Sequence, residues 1–472
     1  MKGVKFVRSA LILSLLLICE LVYFSFSYSN SYIVLILFLL YMVITYIYDK
    51  EFLMKYIYII FYINTNVFGV FFIETNSFYL NEIDRYASNN NSLLLLVIAH
   101  IVFIETMRIL NTGSRVKQLD DSFIEFSSKV KVSKVKLLLI MIMIILMLFS
   151  LLFLRVIDKP FFIVKLDRFL YKEIYLSSMT ENISNSVLYL SPLIGMYLYK
   201  TRKFKLTLTT LFLVGIYLFW IGHKFSIFIT LGYIIFLPFI WYGSKKILKR
   251  VMVGGLISIT VLISLVSIQS YIVYNRDFNE NLEYLQMRVA QQGQLWWATY
   301  GNQRDESNEF EEITDETVNF FSGDIKENNL YNSGIYKVML NTTPPDIFNR
   351  KVGEKNSRYA YSTQASIYYY FKSIGLVIFS VISGVLYYYI VQKLISNVLT
   401  LRILPSVLYA RLLVIINGML LQSDFHKLFS YEVLMIILVL LVMKLISVFS
   451  TNSISLNNIN KNYRKEEVGM RG

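Results

Sequence analysis

The chain alternates long apolar blocks with short polar connections along its whole length. A helix needs about 20 mostly apolar residues to cross the hydrocarbon core of a membrane, and blocks of that kind recur about twelve times. They predict spans near 9–27, 31–48, 54–73, 92–110, 136–155, 184–199, 206–221, 224–242, 250–273, 365–391, 404–421 and 431–449. Gly222, His223 and Lys224 interrupt the stretch 206–242, which predicts either a tight hairpin or one broken helix. The pattern therefore predicts an all-α polytopic membrane protein.

The basic residues between the blocks predict the orientation of the chain. Lys and Arg concentrate in short connections such as KTRKFK at 200–205 and KKILKR at 245–250, and such connections stay in the cytoplasm. Both termini are then cytoplasmic, and the longest connection lies on the outer side. The predicted parts are an N-terminal membrane bundle of about nine spans (1–273), a large extracytoplasmic loop subdomain (274–364), three C-terminal spans (365–450) and a cytoplasmic tail (451–472).

Composition supports the membrane class and excludes others. The chain is 56% hydrophobic, its mean hydropathy is +0.53, and only 17% of its residues are charged, whereas soluble domains have about a quarter. The formal charge of +14 follows from the orienting basic residues, so nucleic acid is not expected as a partner. Cys19 is the single cysteine, which excludes an internal disulfide and a cysteine metal cluster.

The start of the long outer loop carries residue types suited to a phosphate-bearing sugar. The stretch 279–299 predicts one helix, on which Arg288, Gln292 and Trp296 are spaced four apart and share a face. Arg276 precedes it, just beyond the membrane boundary. A guanidinium binds phosphate through two parallel hydrogen bonds, while amides and aromatic rings suit sugars. The alternative is a helix lying on the membrane surface, with its tryptophans in the interfacial belt.

The end of the loop is basic although it lies on the outer side. Arg350, Lys351, Lys355 and Arg358 cluster shortly before the next span. A basic cluster there departs from the positive-inside trend, which predicts an anionic headgroup or a lipid diphosphate as its partner. A solvated rim is the alternative.

Further titratable residues lie in or near the last spans. Arg411 is in the middle of the span 404–421, and an ionisable residue at that depth indicates function, or else a structural pair with a carboxylate. Asp424 and His426, in the short connection that follows, are candidates for acid and base. His100 and Glu105, inside the span 92–110, are interpreted as structural.

Signatures of other chemistries are missing. No Walker, zinc, serine-elbow or Rossmann motif occurs. An acidic run at 305–316 leaves a divalent-metal site open, although it has no compact loop signature. The first outer loop, 28–31, has no acidic residue, and metal-dependent, many-span lipid-linked glycosyltransferases usually place an essential one there. We expect no metal and no cofactor.

Two stretches resemble a known family. Arg288-Val-Ala-Gln-Gln-Gly-Gln-Leu-Trp-Trp, and the run from Gly353 through Tyr369, Tyr370 and Phe371 to Gly375, resemble the Wzy-type polymerases of bacterial O-antigen and capsule repeat units. The layout, with about a dozen spans and a late outer loop, is similar too. The paired Arg-x10-Gly motifs of some members are absent, so residue roles known in those members are not transferred.

The resemblance implies a metal-independent glycosyltransferase of the bacterial cytoplasmic membrane. A glycan on undecaprenyl diphosphate would be transferred to the next lipid-linked repeat unit, on the outer side of the membrane. The pathway's chain-length regulator and flippase would be partners. The expected diphosphate ligands are Arg288, Arg411, Arg276 and Arg358, and the candidate bases are His426, Asp424 and Glu283. A lipid-linked oligosaccharide flippase or transporter and an O-antigen ligase-like enzyme remain alternatives.

Overall fold

The computed structural model describes residues 30–113, 133–164, 168–176, 178–201, 203–223, 225–241, 278–304, 334–354 and 358–445. These residues form an all-α structure whose β-structure is one short antiparallel hairpin, β1 (Tyr79–Leu80) and β2 (Arg85–Tyr86). The predicted spans 9–27 and 250–273, Arg276, Lys355 and the acidic run 305–316 lie outside the described residues.

The helices follow the apolar blocks of the sequence. In the N-terminal half they are α1 (Ser31–Tyr48), α2 (Lys50–Lys55), α3 (Ile57–Thr75), α4 (Ser92–Gly113), α5 (Lys134–Arg155), α6 (Arg168–Tyr175), α7 (Ser178–Thr201), α8 (Phe204–Trp220) and α9 (Phe225–Trp241). Then come α10 (Phe278–Ala290), α11 (Gln294–Arg304), α12 (Gly334–Thr342), α13 (Pro345–Phe348), a π-helix (Asn349–Glu354), α14 (Ser362–Leu399), α15 (Ile403–Gln422), a 3₁₀ turn (Phe425–Phe429) and α16 (431–445).

Several of these helices are long and apolar enough to cross a membrane. Among the described residues there are five: Ser31–Tyr48, Ile57–Thr75, Ser92–Asn111, Ser362–Leu399 and Ile403–Gln422. Shorter apolar helices are Val135–Ser150, Phe204–Trp220 and Ser226–Pro238. The stretch 206–242 forms two helices rather than one broken helix. They are separated by a turn at Gly222, whose φ of +68° suits glycine.

The chain divides into two compact units, Met1–Phe425 and His426–Gly472. The first contains α1 to α15, and the described parts of the long loop belong to it. In that unit α14 packs against α4 and α15, and α9 and α15 pack against α7. The second unit, as far as it is described, consists of the remainder of the 3₁₀ turn and α16.

Gly384 lets α14 pack closely on α4. A Cβ atom at this position of α14 would lie 3.0 Å from the backbone oxygen of Phe103 and from Cβ of Thr106, both on α4. Glycine thus lets the two helix backbones approach each other closely.

A sharp bend divides α14 at Lys372. Its φ of 55° and ψ of −160° are not helical, so two helices meet there. The shorter piece, 362–371, packs at one end of the bundle: the hydroxyl of Tyr370 donates to the carbonyl of Gly334, and the ring of Tyr368 stacks on that of Tyr300. The piece before the bend therefore joins α14 to the helices α11 and α12.

A buried carboxylate joins three helices at that same end. Glu74, near the end of α3, accepts hydrogen bonds from the Ser31 hydroxyl (2.6 Å), the Ser92 hydroxyl (2.9 Å) and the backbone N–H groups of Ser92 (2.6 Å) and Leu93 (3.1 Å). The two backbone donors are at the N-terminus of α4, where the helix dipole favours a negative charge. Glu74 thereby fixes the starts of α1 and α4 against the end of α3.

Helices α10 and α11 of the long loop pack on α3 through two glycines that face each other. A Cβ atom on Gly69 would lie 2.8 Å from the backbone nitrogen of Gly293, and a Cβ atom on Gly293 would overlap the backbone of Gly69 and Val70. This contact lies at the turn between α10 and α11. The prediction of one helix over 279–299 is therefore wrong: the chain turns at 291–293 so that Gly293 can pack on α3.

We expect Gly293→Ala to lower the free energy of unfolding by about 1–3 kcal/mol, because the new methyl group must displace backbone. Gly353→Ala is the matched control, since a Cβ atom there meets nothing within 4 Å. Thermal unfolding of the detergent-solubilised protein measures both. Equal melting temperatures for the two variants would show that the close glycine contact does not exist.

Candidate functional site

Arg288 projects from the last turn of α10 and is held by neutral groups. Its Nε donates to the hydroxyl of Tyr284 at 2.8 Å, and its Nη1 donates to Oε1 of Gln291 at 3.0 Å. The guanidinium carbon lies 4.8 Å from the centre of the Tyr284 ring. Arg288 is exposed, and these contacts leave its charge uncompensated.

Arg358 has the same kind of setting at the end of the loop. Its Nε donates to the hydroxyl of Tyr336 at 3.0 Å, and its guanidinium carbon lies 5.0 Å from the centre of that ring. Its Nη1 donates to Oδ1 of Asp424, in an ion pair whose side chains are 28% and 3% exposed. Burial lowers the pKa of the Arg358 guanidinium, but Asp424 and Tyr336 more than offset this and raise its pKa. Arg358 stays protonated.

In both arginines the described hydrogen bonds involve Nε and Nη1 of the guanidinium and leave Nη2 available. Each uses Nε for a tyrosine hydroxyl and one N–H of Nη1 for an oxygen acceptor. A guanidinium has five N–H donors, so within the described structure the two N–H groups of Nη2 remain for a ligand. N–H donors on a planar cation can bind the oxygens of a phosphate group.

The segments that carry the two arginines attach to consecutive residues of α3. The hydroxyls of Thr65 and Tyr361 share a hydrogen bond, and Tyr361 lies three residues after Arg358. Nδ2 of Asn66 donates to the carbonyl of Gln292, four residues after Arg288, at 2.6 Å. Two stretches that are 70 positions apart in the sequence are thus bound to one turn of one helix.

Glu82 binds residues of three other segments of the chain, and the sequence analysis did not single it out. Its Oε2 pairs with Lys351 of the π-helix at 2.7 Å and accepts from Nε2 of Gln294, and its carbonyl accepts from the hydroxyl of Tyr359. The ammonium group of Lys351 also lies 3.9 Å from the centre of the Tyr359 ring. A glutamate in a short polar connection, close to Asp84 and Arg85, carries no signal in the sequence that would have marked it.

The tryptophans of the loop are interior packing residues. Trp296 is 1% exposed, donates from its indole N–H to the carbonyl of Ser92 at 3.0 Å, and contacts the ring of Tyr368. Trp297 is 5% exposed and donates to the carbonyl of Ser88 at 2.8 Å. In this conformation Trp296 presents no open ring face to a sugar.

The other predicted ligands have different settings. The side-chain amide of Gln292 donates to the carbonyl of Arg288. The guanidinium carbon of Arg411, on α15, lies 4.2 Å from the centre of the Tyr189 ring on α7. Arg350 is exposed on the π-helix. None of the contacts described for Arg411 joins it to the segments of Arg288 or Arg358.

The three candidate bases differ in burial. Asp424 is 2% exposed and pairs with Arg358, so its carboxylate is already engaged. Glu283 is exposed on α10, and His426 is half-buried in the 3₁₀ turn of the second unit. Apart from Arg358 with Asp424, no two of the predicted site residues form an ion pair in the described part of the chain.

A small cavity lies within the described helices. Its lining includes His100, Tyr361, Gln364 and Ser383, and its volume of about 20 Å³ has room for about one water molecule. Nδ2 of Asn66 donates to a carbonyl, so its Oδ1 accepts from Nε2 of His100 at 3.0 Å. His100 thus acts structurally in this bond.

Glu105 is structural as well. Its two carboxylate oxygens accept from the hydroxyl of Tyr41 at 2.7 Å and from Nη2 of Arg108 at 2.9 Å. Both side chains of the ion pair are 8% exposed.

Comparison with known proteins gives one family. Residues 328–437 match a family of unknown function, DUF6418. No curated protein and no solved structure matches the chain. The matched stretch contains Tyr336, Arg358 and Asp424, whereas Arg288 precedes it.

Proposed function

We propose that this protein polymerises lipid-linked oligosaccharide repeat units for a bacterial surface polysaccharide, O-antigen or capsule. It would be a glycosyltransferase of the cytoplasmic membrane that acts on the outer side. The proposal includes about twelve spans, cytoplasmic termini and undecaprenyl-diphosphate-linked oligosaccharides as substrates. It requires neither a metal nor a cofactor.

One observation carries the proposal. Arg288 and Arg358 each present an open guanidinium edge, and their segments are bound to consecutive residues of α3. Thr65 and Asn66 lie near the middle of α3, eight to nine residues before Glu74. Two arginine segments attached to one turn of a helix suit the two phosphates of a lipid diphosphate.

The chemistry needs few groups. The acceptor hydroxyl attacks the anomeric carbon of the growing glycan, the bond from that carbon to the diphosphate oxygen breaks, and the diphosphate leaves with the electron pair. Arginine N–H donors stabilise the charge that develops on the leaving group. A base takes the hydroxyl proton, and of the candidates within the first unit Glu283 is exposed on α10 whereas Asp424 is buried.

A flippase or transporter fits these features less well. A transport path needs a cavity of substrate size with charges along it, and transporters usually have short loops, whereas the predicted outer loop 274–364 is about 90 residues long. The ligase-like enzyme would use the same site chemistry with a different acceptor, so the phenotype of the cell separates it from a polymerase.

Deletion of the gene tests the proposal against both alternatives. We expect single repeat units on the cell surface and no polymer. Lipid-linked units retained inside, with no surface glycan, would indicate a flippase. Polymer that accumulates on its lipid carrier would indicate a ligase.

We expect Arg288→Ala to reduce polymer roughly 100-fold, which is typical of losing one donor to a developing anion. Because Arg288 is exposed, protein level and melting temperature should stay unchanged. Lys50→Ala is the control, since Lys50 is an exposed cation at the start of α2 with its ammonium over Tyr46. Glycan length on gels and membrane immunoblots measure both effects. Normal polymer in Arg288→Ala would remove this residue from the site.

A further inference from the structure

We infer that Asp424 is a positioning residue that, together with Tyr336, aims the open edge of Arg358 at the lipid diphosphate. The inference rests on the proposed function and changes the role expected from the sequence, in which Asp424 is a candidate base. The juxtaposition that supports it is the ion pair between a carboxylate that is 3% exposed and a guanidinium that is 28% exposed.

The carboxylate is fixed by the end of α15. The helix ends at Ser423 in the left-handed conformation, with φ of 58°, and the Ser423 N–H donates to the hydroxyl of Thr363 at 2.9 Å. A Cβ atom on Gly418 would lie 3.2 Å from Oδ2 of Asp424. Asp424 therefore sits against a backbone that leaves little room for movement.

Tyr336 fixes the other side of the same guanidinium. It lies on α12, and its hydroxyl accepts from Nε of Arg358 at 3.0 Å. The Nε–H of Arg358 is bound to Tyr336 and one Nη1–H is bound to Asp424, on two different elements. These two bonds fix the plane of the guanidinium and therefore the direction in which Nη2 points. A planar donor that is already oriented loses less conformational entropy when it binds phosphate.

The two arginines would then contribute differently. Asp424 neutralises most of the charge of Arg358, whereas Gln291 and Tyr284 leave the charge of Arg288 intact. Arg288 supplies net attraction, which salt screens, and Arg358 supplies directed hydrogen bonds. An engaged and buried carboxylate of this kind is a poor acceptor for the proton of a sugar hydroxyl.

Asp424→Asn separates positioning from base catalysis. The full-length enzyme is assayed for polymer formation over a range of lipid-linked substrate concentration and pH. We expect KM to rise about tenfold and kcat to change less than about threefold, because the guanidinium of Arg358 loses the partner that orients it for binding. The acid limb of the pH profile should match wild type. Loss of that limb together with a fall in kcat at unchanged KM would overturn the inference, because a base behaves that way.

Binding of geranylgeranyl diphosphate, measured by calorimetry on the full-length protein in nanodiscs, provides a second readout that does not require polymerisation. We expect Asp424→Asn and Tyr336→Phe each to weaken binding about tenfold. Asp346→Asn, an exposed carboxylate on α13, should bind as wild type does. Tyr336→Phe keeps the ring and so provides the test if Asp424→Asn does not fold.

The outcomes separate the two proposals. If wild type neither binds the diphosphate nor forms polymer, the proposed function fails. If wild type binds it and both variants bind equally well, only the positioning role of Asp424 fails.

Discussion

We expect Arg358→Leu to lower the free energy of unfolding by about 3 kcal/mol, because it leaves the carboxylate of Asp424 buried without its cation. Asp424 is 2% exposed, so water cannot replace the lost partner. Unfolding of the purified protein in mixed micelles, followed by circular dichroism, measures the change. A loss below about 0.5 kcal/mol, as is usual for surface substitutions, would mean that the pair is solvated and weak.

The double variant Arg358→Leu with Asp424→Leu is the matched comparison. When both charges are removed, no unpaired ion remains, and stability should return close to that of wild type. If the double variant is as unstable as Arg358→Leu, packing rather than charge pairing explains the loss. Polymer formation should be low in both variants, because Arg358 is absent from each.

Glu74→Ala is expected to destabilise the protein by about 4 kcal/mol, since it leaves several buried donors without an acceptor. Glu74 is 6% exposed and is the acceptor for the hydroxyls of Ser31 and Ser92 and for two N–H groups at the start of α4. Glu74→Gln keeps one acceptor oxygen and should lose less.

Glu51→Ala is the control for Glu74→Ala, because Glu51 is an exposed glutamate on α2. Its melting temperature should stay within experimental error of wild type, as is usual for surface positions. If Glu74→Ala unfolds like Glu51→Ala, then Glu74 does not hold α1, α3 and α4 together.

The sequence predicted the helices well because their signal is local. Blocks of apolar residues correspond to α1, α3, α4 and α15, and their ends differ by a few residues from those predicted. The break at 291–293 was missed because the helical periodicity of Arg288, Gln292 and Trp296 is consistent with one continuous helix. The turn depends on Gly293 meeting Gly69, which is more than 220 positions away, and periodicity carries no information about such a contact.

Residue type and predicted membrane side single out Arg288, Arg358 and Asp424 as candidates, but the pairing of Arg358 with Asp424 is a tertiary contact that the sequence does not show. The same holds for the contact of Tyr336 with Arg358. Glu74 lies in an apolar helix and Glu82 in a short connection, and only the fold gives them partners.

Burial also changes the interpretation of residues that the sequence singled out by type. Trp296 was expected at a surface, in contact with sugar or with the membrane interface. In the fold it is buried against the start of α4, where its indole N–H donates to the carbonyl of Ser92. Its aromatic face contributes to docking α11 rather than to ligand binding. The aromatic rings that do contact the guanidinium groups of Arg288 and Arg358 are those of Tyr284 and Tyr336, and both tyrosines are half-buried.

Cysteine accessibility tests most directly whether the end of the bundle that carries the arginines faces outward. Cys19 is the single native cysteine, so Cys19→Ala gives a cysteine-free background. Gly353→Cys introduces a thiol in open space on the π-helix, and Glu51→Cys introduces one on α2, at the other end of α1 from Ser31. In intact cells with a permeable outer layer, a membrane-impermeant maleimide should label Gly353→Cys and should label Glu51→Cys only after lysis. Labelling of Glu51→Cys alone in intact cells would place the arginines in the cytoplasm and contradict a polymerase that acts outside.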